Sequence, residues 1–502
     1  MNIARKSFVI LQGNLVTKLL GLVGMVLIAR RMGPGPIGML AFAYSFIGLF
    51  EFLFDPGFST AHIKLAAEKK DFGRCVGTYI VLKIASASLG SLVVLGATLW
   101  TVFFRGGFES SELGVIVVII LLSKVIESIF TYPFTTFNAT QEMAKRTSIK
   151  IVKSVSDLVF VAAVALFYRN VIALALTHVL TEIVVAVISV YLFRNYPIQR
   201  PRRSDLVRYL KFSLPLIGTM AIGLISSNVD KVMIQFFWGS VQVGQYHCAG
   251  RAIALMLILS SSLMTVLIPY FSARQAEGKH GELNETLAKA EKYMLLLIGP
   301  VIMVIFVFAR PLVNLVLGRE FEASVPIMRI LCVSTLSITL IRPINALIIG
   351  VGRVRWIFII TCLGVGINFI LNLLLIPERF FGLTMAGLGA PGAAIATATT
   401  QVICTVVTII YIRKTMRINP LLKIAKYVLP LLVTLPFFIY LVIPLIGEGF
   451  WSLLLIPPAL ALYIGVLMLV GEFGKTELQL LRAACNPREL KTYISREFSN
   501  ND

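Results

Sequence analysis

Residues 7–29 read SFVILQGNLVTKLLGLVGMVLIA and run directly into ARRMGPGPIG at 29–38. At about 1.5 Å per residue, a helix of this length crosses the roughly 30 Å hydrocarbon layer of a bilayer. It is too long for a signal-peptide core, and Arg30-Arg31-Met32-Gly33-Pro34 is no small-residue cleavage site, so the segment is expected to stay in the protein. Its single internal charge, Lys18, sits near the middle, about eleven residues from either end. Asn14, Thr17, Lys18 and Gly21 follow at i, i+3, i+4 and i+7, which places a polar and small stripe on one helix face. A lysine at that depth reaches neither interface easily, so the stripe is expected to line a cavity rather than snorkel.

Apolar runs of the same kind recur along the chain. They are expected at 7–29, 37–57, 75–102, 113–136, 148–168, 171–193, 209–237, 245–272, 292–317, 325–350, 354–376, 389–412, 424–446 and 451–471. The fold class is therefore an all-α integral membrane protein of about fourteen transmembrane helices. Composition agrees: of 502 residues, 57% are hydrophobic and 14% charged, and the mean hydropathy is +0.87. The six cysteines show no CxxC spacing and mostly lie in apolar runs, so neither a disulfide framework nor a zinc site is expected.

A net charge of +21 in a soluble chain would suggest nucleic acid, but here the cations alternate between the two sides. With the N-terminus inside, 32 Lys and Arg fall on cytoplasmic segments and 6 on outer ones. This bias predicts both termini in the cytoplasm, although Arg30-Arg31 runs against it. No nucleic-acid partner is expected. The longest segments outside the spans are 194–208, 273–291 and 472–502, so the function must reside within the membrane.

The junction of the first two spans carries Gly33 and Gly38, and that of the seventh and eighth carries Gly239 and Gly244, 206 residues later. Glycine here also simply turns the chain. Read as a repeat, the pattern divides the chain into a six-helix bundle at 1–200, a second at 201–417, two additional helices at 418–471 and a cytoplasmic tail at 472–502.

Eight cations fall within spans: Lys18, Lys83, Lys124, Lys231, Arg251, Arg310, Arg329 and Arg342. Each costs roughly 3 kcal/mol at a lipid-facing central site, so a polar interior or specific partners must receive them. Lys18, Lys83, Lys124, Arg342, Lys231 and Arg251 are candidates for an anion route, with Asn14, Thr17 and Tyr44 as candidate cavity-lining residues. Snorkelling remains open for Arg251, Arg310 and Arg329. A structural ion pair remains open for Lys124, with Glu127 at i+3, and for Lys231 beside Asp230. Carboxylates within spans include Glu51, Asp55, Glu127, Asp157, Glu182 and Asp230. Asp55, Asp157, Glu182 and Asp230 are the candidates to carry a proton or bind Na⁺; offsetting buried lysines is the alternative. Glu51 and Asp55 are expected to share a helix face with Tyr44 and Gly48, and His178 and Glu182 form an i, i+4 pair.

Segments in order along the chain resemble the polysaccharide transporter family of Wzx-type flippases, in the superfamily that also holds MATE multidrug exporters and lipid II flippases. They are Ala29–Gly38, Phe54–Thr60 (FDPGFST), Leu214-Pro215-Leu216, Asn228-Val229-Asp230-Lys231, Val243-Gly244-Gln245-Tyr246, Leu317-Gly318-Arg319-Glu320-Phe321 and Leu374-Leu375-Ile376-Pro377 followed by Gly392-Ala393-Ala394-Ile395-Ala396. Ile37 stands where an aromatic is usual. The resemblance implies two pseudo-symmetric six-helix bundles around a central cavity that opens alternately to either side. It implies a polyprenyl phosphate or diphosphate carrying an oligosaccharide as substrate, moved to the outer leaflet of the plasma membrane, and association with glycan-assembly enzymes. No catalytic residue, cofactor or metal is expected. A MATE-like exporter coupled to H⁺ or Na⁺ would want a dominant carboxylate on the early helices, and the first carries Lys18 and no acid. A membrane glycosyltransferase would want a DxD motif and a catalytic outer loop, and neither is present.

Overall fold

The computed structural model describes residues 3–68, 71–104, 106–416, 418–420, 424–474 and 477–479. Arg105, Cys485 and most of the tail lie outside the described residues, as do the side chains of residues 3–11, including Arg5 and Lys6, and of several residues between 255 and 265.

The first half contains α1 (Ile3–Met32), α2 (Pro34–Gly48), α3 (Glu51–Phe54), α4 (Phe58–Ala67), α5 (Phe72–Phe104), α6 (Ser111–Phe130), α7 (Tyr132–Ala139), α8 (Met143–Ala163), α9 (Val171–Phe193) and α10 (Arg203–Trp238). The rest contains α11 (Ser240–Ala276), α12 (His280–Val307), α13 (Ala309–Val316), α14 (Ser324–Gly350), α15 (Val354–Leu375), α16 (Gly389–Met416), α17 (Ile424–Pro436), α18 (Ile443–Ile446) and α19 (Ile456–Leu469). Residues 379–380 and 383–384 pair as a short antiparallel hairpin. Among the described residues eleven spans are long and apolar enough to cross a bilayer, and up to twelve if the bent pair Pro34–Gly48 and Glu51–Ala67 is one span. The two remaining expected spans fall on α1 and α11, of 30 and 37 residues, which include undescribed side chains. Helices dominate because a bilayer core leaves backbone groups no partner but their own chain. None of the five described cysteines forms a disulfide.

The chain divides into two compact units at Gly244/Gln245. In the first, α1 packs along α8, α9 bridges α8 and α6, and α10 lies against α2 and α4. Buried aromatics fill this unit, with Phe58, Tyr79 and Tyr209 in one cluster and Phe137 and Phe193 in another. In the second unit α14 is central, flanked by α12, α16 and α15, while α17 and α19 pack on α12.

The two glycine motifs meet. A methyl group at Gly38 would collide with the Ser240 carbonyl oxygen, and one at Gly244 with the Pro34 carbonyl oxygen. Residues 34 and 38 stand 206 positions before 240 and 244, so the contact is reciprocal, as between symmetry-related copies of one motif.

The second expected span, 37–57, is not one straight helix. It is bent by 57° between α2 and α3, and beyond Phe54 the chain passes Asp55, Pro56 and left-handed Gly57 (φ 94°) before α4 begins. Proline has no N–H to continue the helix, and glycine takes the left-handed turn without a Cβ clash.

Candidate functional site

Four elements of the first unit bring charged side chains together among apolar helices. Lys124 on α6 donates to Glu51 Oε1 at 2.6 Å and to Glu127 Oε2 at 3.0 Å. Lys153 on α8 donates to Glu127 Oε1 at 2.7 Å and pairs with Glu182 Oε1 on α9 at 2.6 Å. Two ammoniums thus serve three carboxylates. Glu51, Glu127 and Lys153 keep 37–41% of their side-chain surface exposed. Charges on apolar helices that retain this much surface must face water, because lipid exposure costs several kcal/mol each.

A cavity of about 220 Å³ opens on this network, with Glu127, Lys150, Lys153 and Glu182 among its lining and Phe130 and Phe134 as apolar wall. Along α8, Arg146, Lys150, Lys153 and Asp157 recur at i, i+4, i+7 and i+11, which is one helix face. Lys150 Nζ donates to Asn14 Oδ1 of α1 at 2.6 Å and stands within electrostatic reach of Arg146 and Lys18. Arg146 stacks on Phe134, and its Nε is buried with no hydrogen-bond partner. No carboxylate pairs with Lys18, Arg146 or Lys150 among the described residues. The site therefore has two electrostatic parts: a network with more carboxylates than ammoniums, and beside it a group of cations without counter-ions.

The residues expected from sequence are distributed over these parts and beyond. Asn14 holds Lys150, Thr17 Oγ1 donates to the Asn14 carbonyl at 3.0 Å, and Lys18 is exposed. Tyr44 packs edge-on against His178, whose Nδ1 lies 3.1 Å from Asp157 Oδ1. His178 and Glu182 do not pair with each other, since each has a partner on α8. The bend separates Tyr44, Glu51 and Asp55 onto different partners, so their expected common face does not form. Lys83 is buried and donates to the Phe54 carbonyl at 2.9 Å, with Asp55 Oδ2 at 3.8 Å. Asp230 is buried and Lys231 half-buried on α10.

In the second unit Arg251 donates to His247 Nε2 at 3.4 Å, and Arg342 to the Leu257 carbonyl at 2.8 Å. Arg310 and Arg329 both pair with Glu448, at 2.8 and 3.2 Å, and tie the loop before α19 to α13 and α14. Arg146, Lys150 and Lys153 are not among the cations expected within spans, because Lys and Arg near a span's inner edge count as cytoplasmic. Their helical spacing with Asp157 is the signal that marks them as one face. Among the described residues no group of three His, Cys, Asp or Glu side chains is placed to hold a metal ion.

The sequence pattern of the polysaccharide biosynthesis protein family matches residues 3–275, and that of the MatE family matches residues 215–374. A relative in Haloferax volcanii, named "Probable low-salt glycan biosynthesis flippase Agl15", is 21% identical over 411 residues, covering 81% of this chain and 82% of its own. Among solved structures, an inward closed conformation of the lipid II flippase MurJ superposes with a TM-score of 0.70 at 16% identity, over 91% of this chain and 97% of that one. An inward-facing multidrug resistance MATE transporter superposes with a TM-score of 0.65 at 15% identity, over 79% and 94%. These similarities establish the fold, and because the first match spans more than half of the sequence, the chain belongs to the polysaccharide biosynthesis protein family of multi-pass membrane proteins.

Proposed function

We propose that the protein flips a polyprenyl phosphate- or diphosphate-linked oligosaccharide from the cytoplasmic to the outer leaflet of the plasma membrane, for assembly of cell-surface glycans. The observation that carries this reading is the group of cations without counter-ions, Lys18, Arg146 and Lys150, beside a membrane-depth cavity. An anionic head group leaving water needs such partners, and charge-assisted hydrogen bonds from Lys and Arg replace its hydration. Lys124 and Lys153 are already neutralised, so they orient and balance the site while Lys18, Arg146 and Lys150 receive phosphate. The similarity to a protein named as a glycan flippase over four fifths of both chains supports the same substrate class. Six-helix halves at 1–200 and 201–417 exposing the head-group site alternately to either side, with both termini in the cytoplasm, complete the reading.

Flipping of a fluorescent polyprenyl diphosphate oligosaccharide in sealed proteoliposomes tests it. Lys150→Ala and Lys18→Ala are each expected to slow flipping roughly 10- to 100-fold, the kinetic worth of about 1.5–3 kcal/mol for a lost charged hydrogen bond. Leu92→Ala, an exposed apolar position on α5, is expected to flip at the wild-type rate. Equal rates in all three variants would remove the phosphate role from these cations.

One observation favours a second reading. Glu51, Glu127 and Glu182 outnumber Lys124 and Lys153, and surplus carboxylate is what a cation-coupled small-molecule exporter would use. Export of an organic cation driven by a H⁺ or Na⁺ gradient, with no glycolipid flipping, would select it.

A further inference from the structure

The break in the second span creates an oxygen-lined site with an ammonium already in it. The Phe54 carbonyl accepts from Lys83 Nζ at 2.9 Å, Ser86 Oγ at 3.0 Å and Ser128 Oγ at 3.3 Å. Asp55 Oδ2 lies 3.8 Å from Lys83 Nζ, and the same carboxylate accepts from Ser59 N at 3.1 Å and from Ser59 Oγ. Lys83 is 3% exposed, whereas Asp55 keeps 30% of its side-chain surface, so the carboxylate is the exposed side of the pair. A backbone carbonyl at a broken membrane helix, fixed by two hydroxyl donors, and one carboxylate are hard oxygen groups of the kind that coordinate alkali cations. A single carboxylate suits a monovalent ion better than a divalent one.

We propose that the Lys83 ammonium is a resident cation occupying an alkali-ion site formed by the Phe54 carbonyl, which Ser86 and Ser128 hold in place, and Asp55, so that this site needs no Na⁺ in the native protein. Tethering the charge makes the break permanently neutralised: the ion cannot leave, and closure of the span does not wait for one to bind. The coupling candidate Asp55 is then a structural counter-ion, and any ion coupling resides elsewhere. A bond from Lys83 to its own site also accounts for a lysine buried among apolar helices, where an unmatched ammonium would be expelled.

The test is thermal unfolding of purified full-length protein in NaCl, KCl and choline chloride at equal ionic strength. Wild type, Lys83→Ala and Lys83→Ala/Asp55→Asn are compared. Truncating Lys83 empties the site, so the single variant is expected to gain roughly 2–4 °C in Na⁺ over choline, by mass action of a bound ion. The double variant, lacking the carboxylate, is expected to gain nothing. Lys83→Met, which fills the space without charge, guards against loss through packing: it is expected to fold and to ignore Na⁺. Three results would overturn the proposal: a Lys83→Ala protein indifferent to cation, one that Na⁺ does not recover while Lys83→Met folds, or a wild-type Na⁺ response that Asp55→Asn abolishes. The readout is ion binding, so a failure of the flippase reading leaves it intact and its own failure leaves that reading intact.

Discussion

Lys153 stands between Glu127 and Glu182, and its removal leaves Lys124 as the one ammonium for three carboxylates. Lys153→Met is therefore expected to lower stability by about 1–3 kcal/mol, below the cost of breaking a fully buried pair because the network is partly hydrated. Adding Glu182→Gln removes one of the stranded charges, so the double variant is expected to recover at least ~0.5 kcal/mol relative to the sum of the singles. Thermal unfolding of both singles and the double reads this coupling, and strict additivity would mean the charges act separately. Outside the spans, Glu142 is a second test. Burial pushes its carboxyl up, but hydrogen bonds from Lys145, Tyr196 and Thr140 outweigh that and hold it below its ordinary 4.5. A depressed carboxylate stabilises the fold above its ordinary value and loses that contribution as pH falls through its folded value. Glu142→Gln is thus expected to show a flatter acid limb than wild type in melting temperature against pH. The pairing of Lys124 with Glu127 is legible from their i, i+3 spacing alone. Their outer partners Glu51 and Lys153 come from other helices, and one sequence carries no signal of which helices are neighbours.

Whole helices are legible because lipid demands length and apolarity, and each of the fourteen expected runs lies on a helix or a short series of helices. Their irregularities are less so. Asp55-Pro56-Gly57 is readable as a break, yet the bend before Glu51 has neither proline nor glycine after Gly48. The π-helical turns at Val164–Tyr168 and Phe437–Val442 likewise follow from packing rather than local composition. Glycine spacing points to a repeat but not to the crossing of its two copies. That crossing leaves no room for a methyl group, since the obstacle on each side is backbone. Gly38→Ala and Gly244→Ala are each expected to destabilise by about 1–3 kcal/mol or more, through overpacking that no side-chain rotation relieves. Because they strain one contact, the double variant should cost less than the sum. Gly96 on α5 has open space around its Cβ position, so Gly96→Ala is expected to be neutral or to gain up to about 1 kcal/mol of helix propensity. Equal effects at all three glycines, measured by thermal unfolding in one detergent, would deny the crossing any special closeness.

At the scale of the molecule, charge asymmetry and substrate charge meet in one measurable quantity. The 32 to 6 distribution of Lys and Arg predicts cytoplasmic termini, and the electrical polarity of a membrane so crossed would bear on the anionic cargo proposed above. If the interior is negative, each negative charge carried outward gains about 2.3 kcal/mol per 100 mV, or some 1.7 orders of magnitude in the equilibrium ratio between leaflets. A head group crossing with two uncompensated charges is expected to shift that ratio by about 3.4 orders of magnitude per 100 mV, and one with a single charge by half as much on the logarithmic scale. The measurement is the steady-state leaflet distribution of a fluorescent polyprenyl diphosphate glycan in proteoliposomes clamped at several K⁺/valinomycin potentials. A steep slope identifies membrane potential as a driving force and counts the charges moved. A flat distribution means that compensating cations cross with the head group, which would return Asp157 and Glu182 to the centre of the coupling question. Lys83→Ala in the same vesicles, with Na⁺ on both sides, is expected to leave the slope unchanged, because an ion at the broken second span neutralises the protein and not the cargo.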